Sequence, residues 1–210
     1  MATSGLITTA FTQEAGFRTT SVVARMLRVL RAANMAAMGV PGRGKSEGNA
    51  TAYHYACLLL GFAGDQPSDA ADAAATALPF EWQRSEPYSK TPRILGNLQK
   101  VLESIITGTW ETTEKLEETT FCAPSLLILL NLASVQIMWP DAKGYLALTE
   151  YYGPAPGLEH EYKFPGVRKQ TVVMDRMLLL AASLWRDNKP LAIASAQTVH
   201  PTSREAKDHG

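Results

Sequence analysis

A chain of 210 residues with 46% apolar residues and a formal net charge of zero can bury one good core or two small ones, and it is too apolar for wholesale disorder. The zero balance hides an asymmetry: residues 1–64 carry six Lys and Arg against two acids, whereas residues 65–120 carry ten acids against five bases. A basic surface is therefore confined to the first third, which excludes a uniformly basic nucleic-acid coat and a uniformly acidic one.

The first predicted element is a short helix over Thr8–Phe17, closed by a turn at Ala15-Gly16-Phe17. Arg18-Thr19-Thr20-Ser21 then offers several caps for a longer helix. Val22, Met26, Leu27, Leu30 and Ala33 recur at three- and four-residue spacing from Ser21 to Met38, with Arg25, Arg28 and Arg31 interleaved. That is an amphipathic helix, ending near Asn34-Met35. Short helix, turn, longer basic helix is a helix-turn-helix order.

Gly39-Val40-Pro41-Gly42-Arg43-Gly44-Lys45-Ser46 follows, and it fits the phosphate-binding pattern G-x-x-x-x-G-K-[ST]. A nucleotide-binding loop needs a buried strand feeding it and a helix leaving it, and the residues before Gly39 are helical in pattern. The context favours a basic loop, at the place of a wing, that holds nucleic-acid phosphates through Arg43 and Lys45. A nucleotide site at Gly39–Ser46 is the alternative. Its acidic partner would be Asp175, after Thr171–Met174, and Asp175 reads more simply as the N-cap of the last helix.

The run SVVARMLRVLRAANMAAMGVPGRGKSEGNATAYHYACLLLGFAG, continued by DQPSDAADAA, resembles the amino-terminal module of phage- and prophage-type helix-turn-helix regulators, over roughly the first 80 residues. One departure is Met35–Met38, apolar where a polar turn is usual. The resemblance implies double-stranded DNA as partner. Ser21, Arg25 and Arg28 would lie on the groove-facing part of the helix, Arg18 and Thr20 would stand at its start, and Arg43 and Lys45 would touch the backbone. It also implies a role in transcription.

Downstream, Gly64–Asp69 is a turn from which Pro67 or Ser68 opens a helix through Ala77, and Pro79–Pro92 reads as an irregular connector. Ile94, Leu95, Leu98, Val101, Leu102, Ile105 and Ile106 predict a long helix over Thr91–Thr107, able to face its own domain or a second copy. Glu111, Glu114, Lys115, Glu117 and Glu118 read as a solvated surface. Ser134–Trp139, Gly144–Tyr152, Leu158–Phe164 and Lys169–Met174 are strand-length runs separated by Pro and Gly turns, an antiparallel meander. A helix over Asp175–Arg186 covers it, and Thr198–Gly210 is a polar tail.

The expected fold is α+β: a helix-turn-helix module with room for a wing at 5–78, a connector at 79–92, an α+β assembly or partner-binding domain at 93–190 and a tail at 191–210. Cys57 and Cys122 lack C-x-x-C spacing and read as reduced core thiols. No segment reads as a signal peptide or as the roughly 20 apolar residues of a membrane span. His54, His160, His200 and His209 show no metal-ligand spacing, and no Ser-His-Asp order occurs. The expectation is a cytoplasmic, homo-oligomeric, non-enzymatic DNA-binding regulator without a cofactor. Its rivals are a phage packaging or host-defence-blocking interaction protein and the nucleotide-binding protein.

Overall fold

The computed structural model describes residues 4–17, 19–37, 50–109, 124–141, 143, 145–156, 170–173 and 175–187. The chain is α+β, with four of its described helices ahead of the first described strand. Helix α1 (Ser4–Glu14) ends where Gly16 takes a left-handed φ of 69°. The Gly16 N–H reaches the Gln13 carbonyl at 3.2 Å and the Phe17 N–H reaches Thr12 at 3.1 Å, the paired bonds of a Schellman closure. Helix α2 (Ser21–Ala32) stops in the same way: Asn34, at φ 59°, bonds Arg31 at 3.0 Å and Met35 bonds Leu30 at 2.7 Å. Asparagine tolerates that conformation better than most L-residues, so Asn34 ends the helix where the sequence places its end.

Helix α3 (Ala52–Gly61) is apolar all round and correspondingly buried from Tyr55 to Gly61. Beside it runs α4 (Ala70–Ala77), entered through a 3-10 turn at Pro67–Asp69. Its small residues allow close approach: a Cβ on Gly61 would stand 3.2 Å from the Ala70 Cβ. Strand β1 (Glu81–Glu86) and helix α5 (Leu98–Thr107) follow. The Leu98 and Gln99 N–H groups bond the Phe80 and Leu78 carbonyls at 2.7 and 3.1 Å. The end of α4 thus satisfies donors that the first turn of α5 would otherwise leave open.

Strands β2 (Ser125–Leu129), β3 (Ser134–Pro140), β4 (Leu146–Gly153) and β5 (Thr171–Val173) complete a five-stranded sheet of order β1-β4-β3-β2-β5, every pairing antiparallel. Helix α6 (Asp175–Asp187) closes the described fold. The row Val173, Leu126, Ile137, Glu150, Ser85 runs across the buried face of the sheet. One hydrophobic cluster extends from Ile7 in α1 to Leu184 in α6 and includes residues on both sides of 79–92.

Several expectations change here. Glu81–Glu86, inside the stretch expected to be irregular, is an edge strand. Its charges and its irregular register at Trp82/Arg84 are the means by which edges avoid foreign strands. The helix expected from Thr91 begins only at Leu98: Gly96 sits at φ 135°, and the Asn97 side chain caps the helix by accepting from the Lys100 N–H at 3.1 Å. All five of its apolar residues, Leu98, Val101, Leu102, Ile105 and Ile106, are buried in the chain's own core, so that face is not open to a second copy. The apolar run Ser125–Leu129, given no element from the sequence, forms β2. The strand expected at Leu158–Phe164, the acidic cluster at 111–118, Cys122, His160 and the tail lie outside the described residues.

His54 closes a reciprocal cap at the start of α3. Its Nδ1 accepts from the Thr51 N–H at 3.0 Å, so the neutral ring with its proton on Nε2 fits the bond. Burial lowers its pKa below the usual 6.5. A lowered folded pKa gives stability that is present above about 6.5 and is lost as the pH falls through the folded value. Wild-type unfolding free energy should therefore fall between pH 7.5 and 5, while His54→Gln, which keeps an acceptor that does not titrate, should show a shallower fall. Equal slopes in urea unfolding would refute this role.

Candidate nucleic-acid interface

Helix α2 divides cleanly into two faces. Val23, Met26, Leu27 and Leu30 are buried. Ser21, Arg25, Arg28 and Ala32, at spacings of four, three and four, form a continuous exposed line. No acid lies on the helix, and among the described residues neither Arg25 nor Arg28 has a hydrogen bond or an ion pair. Both guanidiniums are free to make the planar two-pronged contacts that arginine makes with guanine edges and phosphates. Thr20 stands at the N-cap position, exposed and without a side-chain cap bond, and the Thr19 and Ser21 hydroxyls are 2.6 Å apart. The helix start thus presents hydroxyls and open N–H groups. The connection from α1, Ala15–Thr20, is six residues long, against roughly three to four in a standard helix-turn-helix.

Arg31 leaves this line. Three further residues turn it off the face of Arg25 and Arg28, and its Nε donates to the Ala37 carbonyl at 3.0 Å, tying down the chain beyond the helix. Its job is to shape the exit from α2, which is where sequence spacing alone misleads.

Arg18, Arg43 and Lys45 lie outside the described residues. The flanks of Gly39–Ser46 are informative nonetheless. Ala37 and Ala50, on either side of that segment, line one small cavity of about 20 Å³ with Arg31, His54 and Tyr55. Helix α2 precedes it, as expected, and α3 starts only at Ala52. Among the described residues no strand leads into Gly39 and no two strands are parallel, which is not the frame of a nucleotide-binding loop. Asp175 is the first residue of α6, where a carboxylate complements the helix dipole.

Sequence reasoning overlooked Glu150. It is fully buried on β4, with Oε1 accepting from the Arg93 N–H and Oε2 accepting from Trp139 Nε1 at 2.7 Å and, more distantly, from the Tyr152 hydroxyl at 3.5 Å. The Arg93 guanidinium lies 5.3 Å over the Trp139 ring. Burial, then the neighbouring carboxylate, pushes the Tyr152 phenol up. With both oxygens occupied, Glu150 acts as a staple holding the chain around Arg93 to the sheet. The signal was available: alternation in GYLALTEYY gives Glu150 the same facing as Tyr152.

The remaining candidates are unremarkable. Cys57 is a free buried thiol pushed up to about 11 by burial, and no cluster of three metal-binding side chains occurs among the described residues. None of their helices is long and apolar enough to cross a membrane. A cleft of about 540 Å³ lies between Phe17, Phe62, Val172 and Met177, with Glu14, Asp175 and Arg176 at its rim. Comparison with protein-family models, with curated proteins and with solved structures gives no match to this chain.

Proposed function

We propose that this chain is a DNA-binding transcriptional regulator, of the kind carried by phages and other mobile elements, that presents the exposed face of α2 to the major groove. The observation that carries this reading is the line Ser21, Arg25, Arg28: two arginines without a partner among the described residues, on a helix without acids, above a packed apolar face. Arg25 and Arg28 read base edges, each two-pronged contact worth about 1–3 kcal/mol of discrimination. Ser21 faces the groove with them, Thr20 and Arg18 hold the backbone at the helix start, and Arg43 and Lys45 hold phosphates. A dimer would double these contacts and set the half-site spacing.

The test is a salt series of duplex binding by fluorescence anisotropy, after selection of a preferred sequence from a random duplex pool. Binding should weaken steeply with salt, and Lys45→Ala should weaken it on all sequences alike, with a slope shallower by about 0.9 for the lost phosphate contact. Salt-sensitive binding with no preferred sequence would favour the interaction-protein alternative. No binding at low salt would remove DNA from the account.

A further inference from the structure

Among the described residues, no part of α2 lines the cleft of about 540 Å³. Its walls come from four places in the chain. Glu14 and Phe17 belong to the end of α1 and the turn after it, Phe62 follows α3, Val172 lies on β5, and Asp175, Arg176 and Met177 open α6. The size falls within the range of about 300–1,000 Å³ in which proteins enclose small molecules. The lining is apolar and partly aromatic: the Phe17 ring stacks on Phe62 at 6.0 Å and is itself 37% exposed, and Val172 is 44% exposed. Aromatic and aliphatic side chains left open around a concavity are what the apolar body of a ligand covers.

Charge narrows the occupant. Glu14 and Asp175 are half-buried at the rim, and neither carboxylate has a hydrogen bond or an ion pair among the described residues. Arg176 is the one cation among the described lining residues; it is exposed and pairs with neither acid. The adjoining helix ends leave this balance alone. The C-terminal end of α1, which has no basic residue in its last turn, and the N-terminal end of α6 carry opposite partial charges of about half a unit. One negative charge therefore remains in excess, on carboxylates that solvent screens less than it screens the guanidinium. This rim favours a positive group. The exposed Phe17 ring adds to that preference, because aromatic faces attract cations.

We propose that this cleft binds a small organic cation, a protonated amine on an aromatic or bulky apolar body, with the body against Phe17, Phe62, Val172 and Met177 and the positive group at Glu14 and Asp175. The site stands whether or not α2 binds DNA.

The test uses the full chain, isotope-labelled for amide NMR and titrated with phenethylamine, phenethyl alcohol and phenylacetate, probes that share a ring and differ in charge. Phenethylamine should bind saturably, with a Kd of about 1 mM or tighter, and shift the amide signals of Phe17, Phe62 and Val172. Phenethyl alcohol should bind roughly fivefold more weakly, and phenylacetate more weakly still. Glu14→Gln/Asp175→Asn should erase the preference for the amine over the alcohol, since the amides keep the shape and asparagine still suits a helix start. Arg176→Ala should sharpen that preference. Val172→Lys, a change that an exposed position on an edge strand tolerates, should abolish amine binding, with an unchanged melting temperature verifying the fold. Lack of saturation by the amine at about 10 mM, shifts centred elsewhere, equal affinity for all the probes, or a preference that survives Glu14→Gln/Asp175→Asn would each overturn the proposal.

Discussion

Glu150→Ala is expected to destabilise the protein by about 3 kcal/mol or more in urea unfolding. The substitution leaves the Trp139 Nε1–H, the Arg93 N–H and the Tyr152 hydroxyl facing a gap with no acceptor, all beneath the sheet. Each orphaned buried donor costs about 1–3 kcal/mol, and the void adds to it. Glu150→Gln retains one carbonyl oxygen but sets an amide N–H against a donor, so a loss smaller than for alanine is expected. A loss for Glu150→Ala below about 1 kcal/mol would show that the staple contributes little. The damage should also be local first: amide exchange at Arg93 and Ile94 should accelerate before exchange in α3.

Phe11→Ala should cost about 3–5 kcal/mol, the range for truncating a fully buried aromatic. Phe11 is the largest side chain that α1 places in the core, and its ring stacks on Phe62 at 6.2 Å, with Phe17 on Phe62 at 6.0 Å. Helix α1 meets both α2 and α6, so this anchor fixes α2 from behind. The functional consequence follows from position: a loosened α1 leaves Arg25 and Arg28 in place chemically but less well held. Phe11→Leu should recover much of the stability by refilling the space. A chemical-denaturation loss under about 1.5 kcal/mol for Phe11→Ala would mean that α1 is not held by this residue.

Helices were legible where two signals agreed. The apolar faces of α2 and α6 carry the 3.6-residue period, and Gly16 and Asn34 punctuate the ends of α1 and α2. Strands β3, β4 and β5 were legible from turn residues on either side. Strand β2 was not: Leu126–Leu130 is a continuous apolar run, which fits a strand or a buried helix equally well. Its alternation appears only in three dimensions, with Leu126 and Ile128 inward and Leu127 and Leu129 half-covered. Strand β1 was hidden by its own protection, since Glu81, Arg84, Glu86 and the flanking prolines are what an exposed edge carries and also what a loop carries. At the candidate interface, the exposure of Ser21, Arg25 and Arg28 followed from helical spacing. The diversion of Arg31 to the Ala37 carbonyl did not, because it depends on where the chain goes after Asn34.

The central claim is that Arg25 and Arg28 read sequence. It is tested most directly by comparing Arg25→Ala/Arg28→Ala with wild type on the selected duplex and on a scrambled one at a single fixed salt. Affinity for the selected duplex should fall roughly 30-fold or more, from about 1–3 kcal/mol per lost two-pronged contact, while affinity for the scrambled duplex falls much less, so the preference collapses toward unity. An equal loss on both duplexes would make the two arginines phosphate contacts only, and no loss on either would take the α2 face out of DNA recognition.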